Sequence, residues 1–239
     1  MRVAIVSDIH GNLAAFEAVL ADLRDTAPDL IYHGGDIPHG GSSPAEVVDR
    51  IRDLAWPGVL GNTDEMLFRP ESLTDFFAPL PQFQKLCDTI AEMADFTRAA
   101  LGEARIDYLR SLPLVQTHDS FALVHASPAS CWRSPTQAAT DQDLETAYAQ
   151  LSRPVAVYGH IHVPFVRNLS SITVVNTGSV SLSYDGDPRA SYLLLDDGVP
   201  QIRRVAYDVD REVKALAACG LPHAGWVVKS LLSARPEMP

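Results

Sequence analysis

Five short apolar runs in this chain each finish at a residue able to ligate a metal ion, and this repetition constrains the fold most. Val3–Val6 leads into Asp8-Ile-His10, Leu30–His33 into Gly35-Asp36, and Gly58–Gly61 into Asn62. Phe121–Val124 ends at His125, and Val155–Tyr158 runs into Gly159-His160-Ile-His162. Short apolar runs bounded by turn residues read as buried strands. In α/β sheets, sites form outside the carboxyl ends of such strands, so the fold would carry these distant residues to one place.

The segments between the runs set the topology. Leu13, Phe16, Val19, Leu20 and Leu23 recur at helical spacing over residues 12–26, with Pro28 beyond the end. Residues 44–54 read as a second helix. Strand, helix, strand, helix, strand at these lengths means βαβ units with right-handed crossovers. Residues 69–112 break the alternation as a helical insertion, with Phe83, Leu86, Ile90, Met93 and Phe96 expected on one buried stripe. It reads as a packing element, with a lid over a site as the alternative. Short strands follow at 114–118, 120–125, 154–158, 163–169, 171–175, 190–196 and 200–207, with a helix at 141–151. The tail, 208–239, reads as one or two helices packed on the same domain, with homo-oligomerisation as the alternative. Two sheets flanked by helices is the economical architecture.

Composition limits the partners. The chain has 239 residues and a formal net charge of −11, which argues against a long nucleic acid or an anionic membrane surface as partner. Cys87, Cys131 and Cys219 have neither zinc spacing nor a disulfide framework, as expected in a reducing cytosol. No apolar run approaches the ~18 residues of a membrane span, and residues 1–7 lack signal-peptide character. The expectation is a soluble, cytoplasmic protein.

The five clusters share a chemistry. Asp, His and Asn offer oxygen and nitrogen donors without thiolate, which selects Mn, Fe, Zn, Ni or Co over a structural cysteine–zinc site. One carboxylate has two oxygens and can bridge two cations. Any one cluster alone is unremarkable; all five in order, each at a strand end, form a specific signal.

In that order, Asp8-x-His10, Gly35-Asp36, Gly61-Asn62-x-Asp64, His125 and Gly159-His160-x-His162 resemble the calcineurin-like metallophosphoesterase superfamily, and most of all its small bacterial and archaeal phosphodiesterase-like branch. The stretches Tyr158–Phe165, Val175–Ser179 and Gly186–Tyr192 are similar to that branch too. The likeness spans about residues 1–207. It implies an α/β (α+β) fold, a four-layer α-β-β-α sandwich carrying the helical insertion. It also implies two divalent metal ions. Asp8, His10 and His162 would hold the first, Asn62, His125 and His160 the second, and Asp36 would bridge them. A bridging hydroxide would be the nucleophile, and the two cations would attract phosphate to an acidic chain.

One position departs from the family. Many members carry His directly after the Asn, where it helps protonate the leaving group; here Thr63 and then Asp64 follow. This favours good leaving groups, hence phosphodiesters, anhydrides or aryl esters over alkyl monoesters. Asp64 is expected to orient Asn62 or its neighbours. His33 reads as a core residue, and His39 and His118 as exposed loop residues. Arg189 is the best candidate for contacting substrate phosphate. Arg69, Arg98, Arg105 and Arg110 border the insertion and read as solvated. Asn176 and Ser179 sit in a glycine turn and read as structural.

The expected activity is metal-dependent hydrolysis of phosphodiester or phosphoanhydride bonds in small phosphorylated substrates, nucleotides included. The alternatives are a phosphomonoesterase or protein phosphatase of the same fold, and a binding scaffold that has lost catalysis.

Overall fold

The computed structural model describes residues 1–239. In the first part of the chain, β1 (Arg2–Val6) and β2 (Leu30–His33) flank α1 (Leu13–Thr26), and α2 (Pro44–Leu54) follows. Asn12 starts α1 by accepting the Ala15 N–H at 2.9 Å, and the helix ends where Ala27 turns left-handed before Pro28. Pro44 opens α2 at a position where its missing N–H costs nothing. Then come α3 (Asn62–Glu65), α4 (Glu71–Phe77), α5 (Gln84–Leu101) and α6 (Glu103–Arg110).

The second part holds β3 (Val115–Thr117), β4 (Phe121–Val124), α7 (Asp141–Tyr148), β5 (Val155–Tyr158), β6 (Phe165–Asn168) and β7 (Thr173–Asn176). The chain then returns through β8 (Ala190–Asp196) and β9 (Val199–Val205), and closes with α8 (Val209–Cys219) and α9 (Ala224–Ser233). One sheet has the order β2-β1-β8-β9 and the other β3-β4-β5-β7-β6. The pairs β1–β2, β4–β5 and β5–β7 are parallel, so their carboxyl ends align.

Strand alternation produces the layers. Val3 and Ile5 of β1 pack with Leu193 and Leu195 of β8 against Phe121, Leu123, Val155 and Val157 of the second sheet. The alternate residues Ala4, Val6, Tyr192 and Leu194 face α1, α2 and the 69–112 helices. Val124, Ala156 and Tyr158 face Leu144 and Tyr148 of α7. A period of two thus yields helix, sheet, sheet, helix, the expected four-layer sandwich.

Several local expectations are corrected. Residues 58–61 form no strand: Gly58 makes one bridge to His33, and Leu60 N–H then leaves to donate to the Pro113 carbonyl at 2.8 Å. The buried residues of α5 are Cys87, Thr89, Met93, Ala94, Thr97 and Leu101; of the expected stripe Met93 is buried and Ile90 packs on the core, while Phe83, Leu86 and Phe96 are half-buried. The helix expected at 141–151 is α-helical only to Tyr148 and ends in a 3₁₀ turn, Ala149–Leu151. In the tail, left-handed Gly220 and His223 separate α8 from α9, and Leu216, Leu221, Val227 and Leu231 pack on Met93 of α5. No helix is long and apolar enough to cross a membrane.

Candidate active site

All five clusters meet at the carboxyl ends of β1, β2, β4 and β5. The backbone there is unusual. Asp8, His10, Asp36, His160 and His162 all have φ between 50° and 66°, the left-handed region that non-glycine residues avoid. Each costs on the order of 1–3 kcal/mol, and such strain gathers where side chains must be aimed at a functional point. Two glycines make the close approach possible. A Cβ on Gly61 would lie 2.1 Å from Asp36 Oδ1, and one on Gly159 2.3 Å from Asp8 Oδ2.

The histidines are oriented from behind. His10 Nδ1 lies 2.8 Å from the His39 carbonyl, His125 Nδ1 2.8 Å from that of Gly34, and His162 Nδ1 2.7 Å from that of Leu182. A carbonyl only accepts, so each Nδ1 carries the hydrogen and each ring points its Nε2 into the site, where it can ligate a cation once deprotonated. His162 Nε2 is 3.2 Å from Asp8 Oδ1 and 3.1 Å from His10 Nε2. Asp8, His10, Asp36 and His162 offer ligand atoms that all lie within 4.8 Å of one another. Beside them, Asn62 Oδ1 is 2.9 Å from His160 Nδ1 and 3.0 Å from His125 Nε2. Lone pairs converging this closely suit cations, so the donor set fits divalent metal.

Electrostatics agree. Burial disfavours the Asp8 anion, but the adjacent His162 overcomes this and holds the carboxyl well below its usual range. Burial lowers the pKa of His10 and takes that of His160 to about 4, which favours the neutral, metal-competent form of each ring. His125 and His162 are also penalised by burial, yet Asp36 and Asp8 raise the former and Asp8 the latter.

Asp64 lies under the site, fully buried, and does not reach the cavity. Its Oδ2 accepts the Asp36 and Gly61 N–H groups and its Oδ1 that of Ile37, each at 2.9 Å. It positions the Asp36 and Asn62 turns through backbone. Burial, then the Asp36 charge, raise its pKa to about 7. Asn176 has a comparable role, donating to the Gly159 carbonyl at 2.6 Å behind His160.

Arg189 is not brought to the site. It pairs with Asp187 at 2.6 Å on the surface, and no arginine or lysine lines the cavity. Arg69 pairs with Glu65, Arg98 with Asp95, Arg105 with Asp49 and Arg110 with Asp107. His39, expected in an exposed loop, is buried and lines the cavity because its carbonyl fixes His10. His33 is buried against Tyr108, 3.3 Å from the phenol oxygen, and His118 stacks on Phe121. Neither lines the cavity.

The cavity in front of the cluster has about 240 Å³ of free volume. Its apolar walls, which no sequence motif marks, are Phe76 and Phe77 of α4, Trp132, and Trp226 of α9. Tyr184 is likewise unmarked, and stacks on His162 with ring centroids 4.7 Å apart. Scattered aromatics carry no spacing signal, because separate elements deliver them.

Residues 1–197 match the model of the calcineurin-like phosphoesterase superfamily domain. The chain belongs to that superfamily. As a member it is a metal-dependent phosphoesterase, a hydrolase. The phosphoesterase is similar to a metallophosphoesterase crystal structure from Sphaerobacter thermophilus, with a TM-score of 0.78 and 27% identity over 98% of this chain and 99% of that one. It is 29% identical to an uncharacterised protein of Methanocaldococcus jannaschii, covering 98% of both chains. It is 27% identical to phosphodiesterase YfcE of Escherichia coli K12, over 83% of this chain and 89% of that one.

Proposed function

We propose that the phosphoesterase uses two divalent cations, Mn, Fe, Ni, Zn or Co, to hydrolyse phosphodiester or phosphoanhydride bonds in small phosphorylated substrates. One observation carries this reading. Asp36 turns Oδ2 toward His10 Nε2 at 3.7 Å and Oδ1 toward His125 Nε2 at 3.5 Å, so a single carboxylate faces both donor groups. Asp8, His10 and His162 would hold one cation with Asp36, and Asn62, His125 and His160 the other. When bound, the cations supply Lewis acidity toward the phosphoryl oxygens and a water acidic enough to ionise near neutral pH.

The chain's own residues do the rest. The Thr63 N–H donates to Asp36 Oδ1 at 2.9 Å and fixes the carboxylate plane. Thr63 lines the cavity beside Asn62, and its Oγ1 is buried without a hydrogen-bond partner. A threonine hydroxyl stays protonated and is a weak acid, which suits leaving groups that depart unaided. The similarity to a phosphodiesterase supports the diester preference. The net charge of −11 supports small substrates over long nucleic acid, and three free cysteines fit a cytoplasmic location.

The test compares bis-p-nitrophenyl phosphate with p-nitrophenyl phosphate, with each metal in turn and with EDTA. Metal-dependent turnover favouring the diester is expected. Faster monoester hydrolysis would overturn the argument from Thr63. Metal-loaded protein with no turnover on either ester would favour a binding scaffold.

A further inference from the structure

The cavity has two dissimilar walls. One consists of ligand residues such as His10, Asp36 and His160; the other is hydrocarbon from three separate elements, Phe76 of α4, Met93 of α5 and Trp226 of α9, closed by Trp132. Neither indole presents its N–H to a ligand. Trp132 Nε1 donates to Glu65 at 2.6 Å and Trp226 Nε1 to the Glu237 carbonyl at 2.7 Å. No cationic side chain is part of the cavity lining: Arg98 is committed to the Leu67 carbonyl at 2.6 Å and to Asp95, and Arg133, exposed to solvent, lies over the Phe76 ring with its Cζ 5.1 Å from the centroid.

A phosphate bound at the ligand cluster would have its ester group against this wall. A second or third phosphate inside the cavity would be an anion against hydrocarbon with no cation in the lining, an arrangement proteins avoid. An apolar ester group would instead replace water on aromatic surface. The space suffices, since a dry cavity of about 150 Å³ already accepts benzene. We propose that this wall is a seat for an apolar organic group, aryl or alkyl, attached to a single phosphate, so that the enzyme selects hydrophobic phosphodiesters over polyphosphate anhydrides. The proposal rests on the phosphodiesterase reading and narrows it to one substrate class. The 69–112 helices and the tail would then determine specificity jointly.

The test has two arms, both on the full-length, metal-loaded enzyme. The first compares kcat/KM for methyl, butyl and phenyl esters of p-nitrophenyl phosphate, with diadenosine tetraphosphate alongside. Each buried methylene is expected to raise kcat/KM about fourfold, phenyl is expected to exceed methyl by about tenfold or more, and the tetraphosphate is expected to be the poorest substrate. The second arm measures phenylphosphonate and methylphosphonate binding by calorimetry, with the phenyl compound expected to bind about tenfold tighter. Trp226→Ala and Phe76→Ala, each checked for folding by circular dichroism, are expected to cut both preferences to about threefold or less. Equal values across the series, or a preference for the tetraphosphate, would overturn the proposal. A retained phenylphosphonate preference without turnover of any ester would uphold the seat and overturn the hydrolytic reading.

Discussion

His10 and His162 face each other with their Nε2 atoms 3.1 Å apart, and each ring has its Nδ1 hydrogen against a carbonyl, that of His39 or of Leu182. With both Nδ1 atoms committed, the two Nε2 atoms and the adjacent Asp8 can share a proton, which a divalent cation would displace to take both rings as ligands. Metal should therefore stabilise the fold as well as enable chemistry. At a concentration about 100 times its Kd, metal adds about 2.7 kcal/mol per site, worth several degrees of Tm in a domain of this size. Calorimetry with saturating Zn²⁺ or Mn²⁺ against EDTA should show that rise, and His10→Ala should remove most of it.

Asp64 offers a sharper separation of roles. Its carboxylate accepts three backbone N–H groups beneath Asp36 and Gly61 and touches nothing in the cavity. In Asp64→Asn an NH₂ group must face one set of those donors. We expect a loss of about 1–3 kcal/mol in stability and a weakening of metal affinity by about 10- to 100-fold. Metal titration followed by activity should show activity largely restored at high metal. Full activity at stoichiometric metal would mean that Asp64 does not position the site.

The proximity of the proposed ligands was legible in the sequence because metal chemistry restricts residue type and strands deliver their carboxyl ends to one edge. Asp8, His10, Asp36, Asn62, His125, His160 and His162 lie together there, and their holding metal is the proposal. The four-layer sandwich was legible from strand alternation and helical spacing. The Gly58–Gly61 strand was not, because an apolar run carries no information about whether a neighbour pairs with it; here only Gly58 bridges to His33. Arg189 was misplaced since sequence cannot reveal that Asp187, two residues away, already holds it. The cavity wall was invisible because Phe76, Trp132 and Trp226 lie on separate elements, and only tertiary packing joins them.

The resemblance to the superfamily implies a proton donor for alkyl leaving groups at the position of Thr63, whose hydroxyl is buried without a partner. In Thr63→His we expect hydrolysis of an alkyl monoester such as glycerol phosphate to rise by about tenfold or more, within the range of general-acid assistance. Turnover of p-nitrophenyl esters, whose leaving group needs no proton, should change far less. Parallel kcat measurements on the two substrates provide the check.

His33 should shape the pH dependence of stability. Burial pushes its pKa from 6.5 to about 3, so the folded chain keeps it neutral while the unfolded chain protonates it near 6.5. The folded pKa is depressed, so its stabilising contribution is complete above 6.5 and is lost progressively as pH falls toward about 3. The loss is about 1.4 kcal/mol per pH unit within that window. Urea midpoints of wild type and His33→Gln between pH 7 and pH 4.5 should diverge, with the variant less pH-sensitive. Parallel curves would place the acid sensitivity elsewhere.

If Asp36 joins two cation sites, metal stoichiometry will show it most directly. Metal-stripped enzyme would be titrated with Mn²⁺ while bound metal is counted by elemental analysis and hydrolysis of bis-p-nitrophenyl phosphate is followed. About two ions per chain are expected, with activity appearing as the second site fills, and loss of both the second ion and the activity in Asp36→Asn. Full activity at a single ion per chain, or an Asp36→Asn variant that still binds two ions and turns over normally, would contradict it.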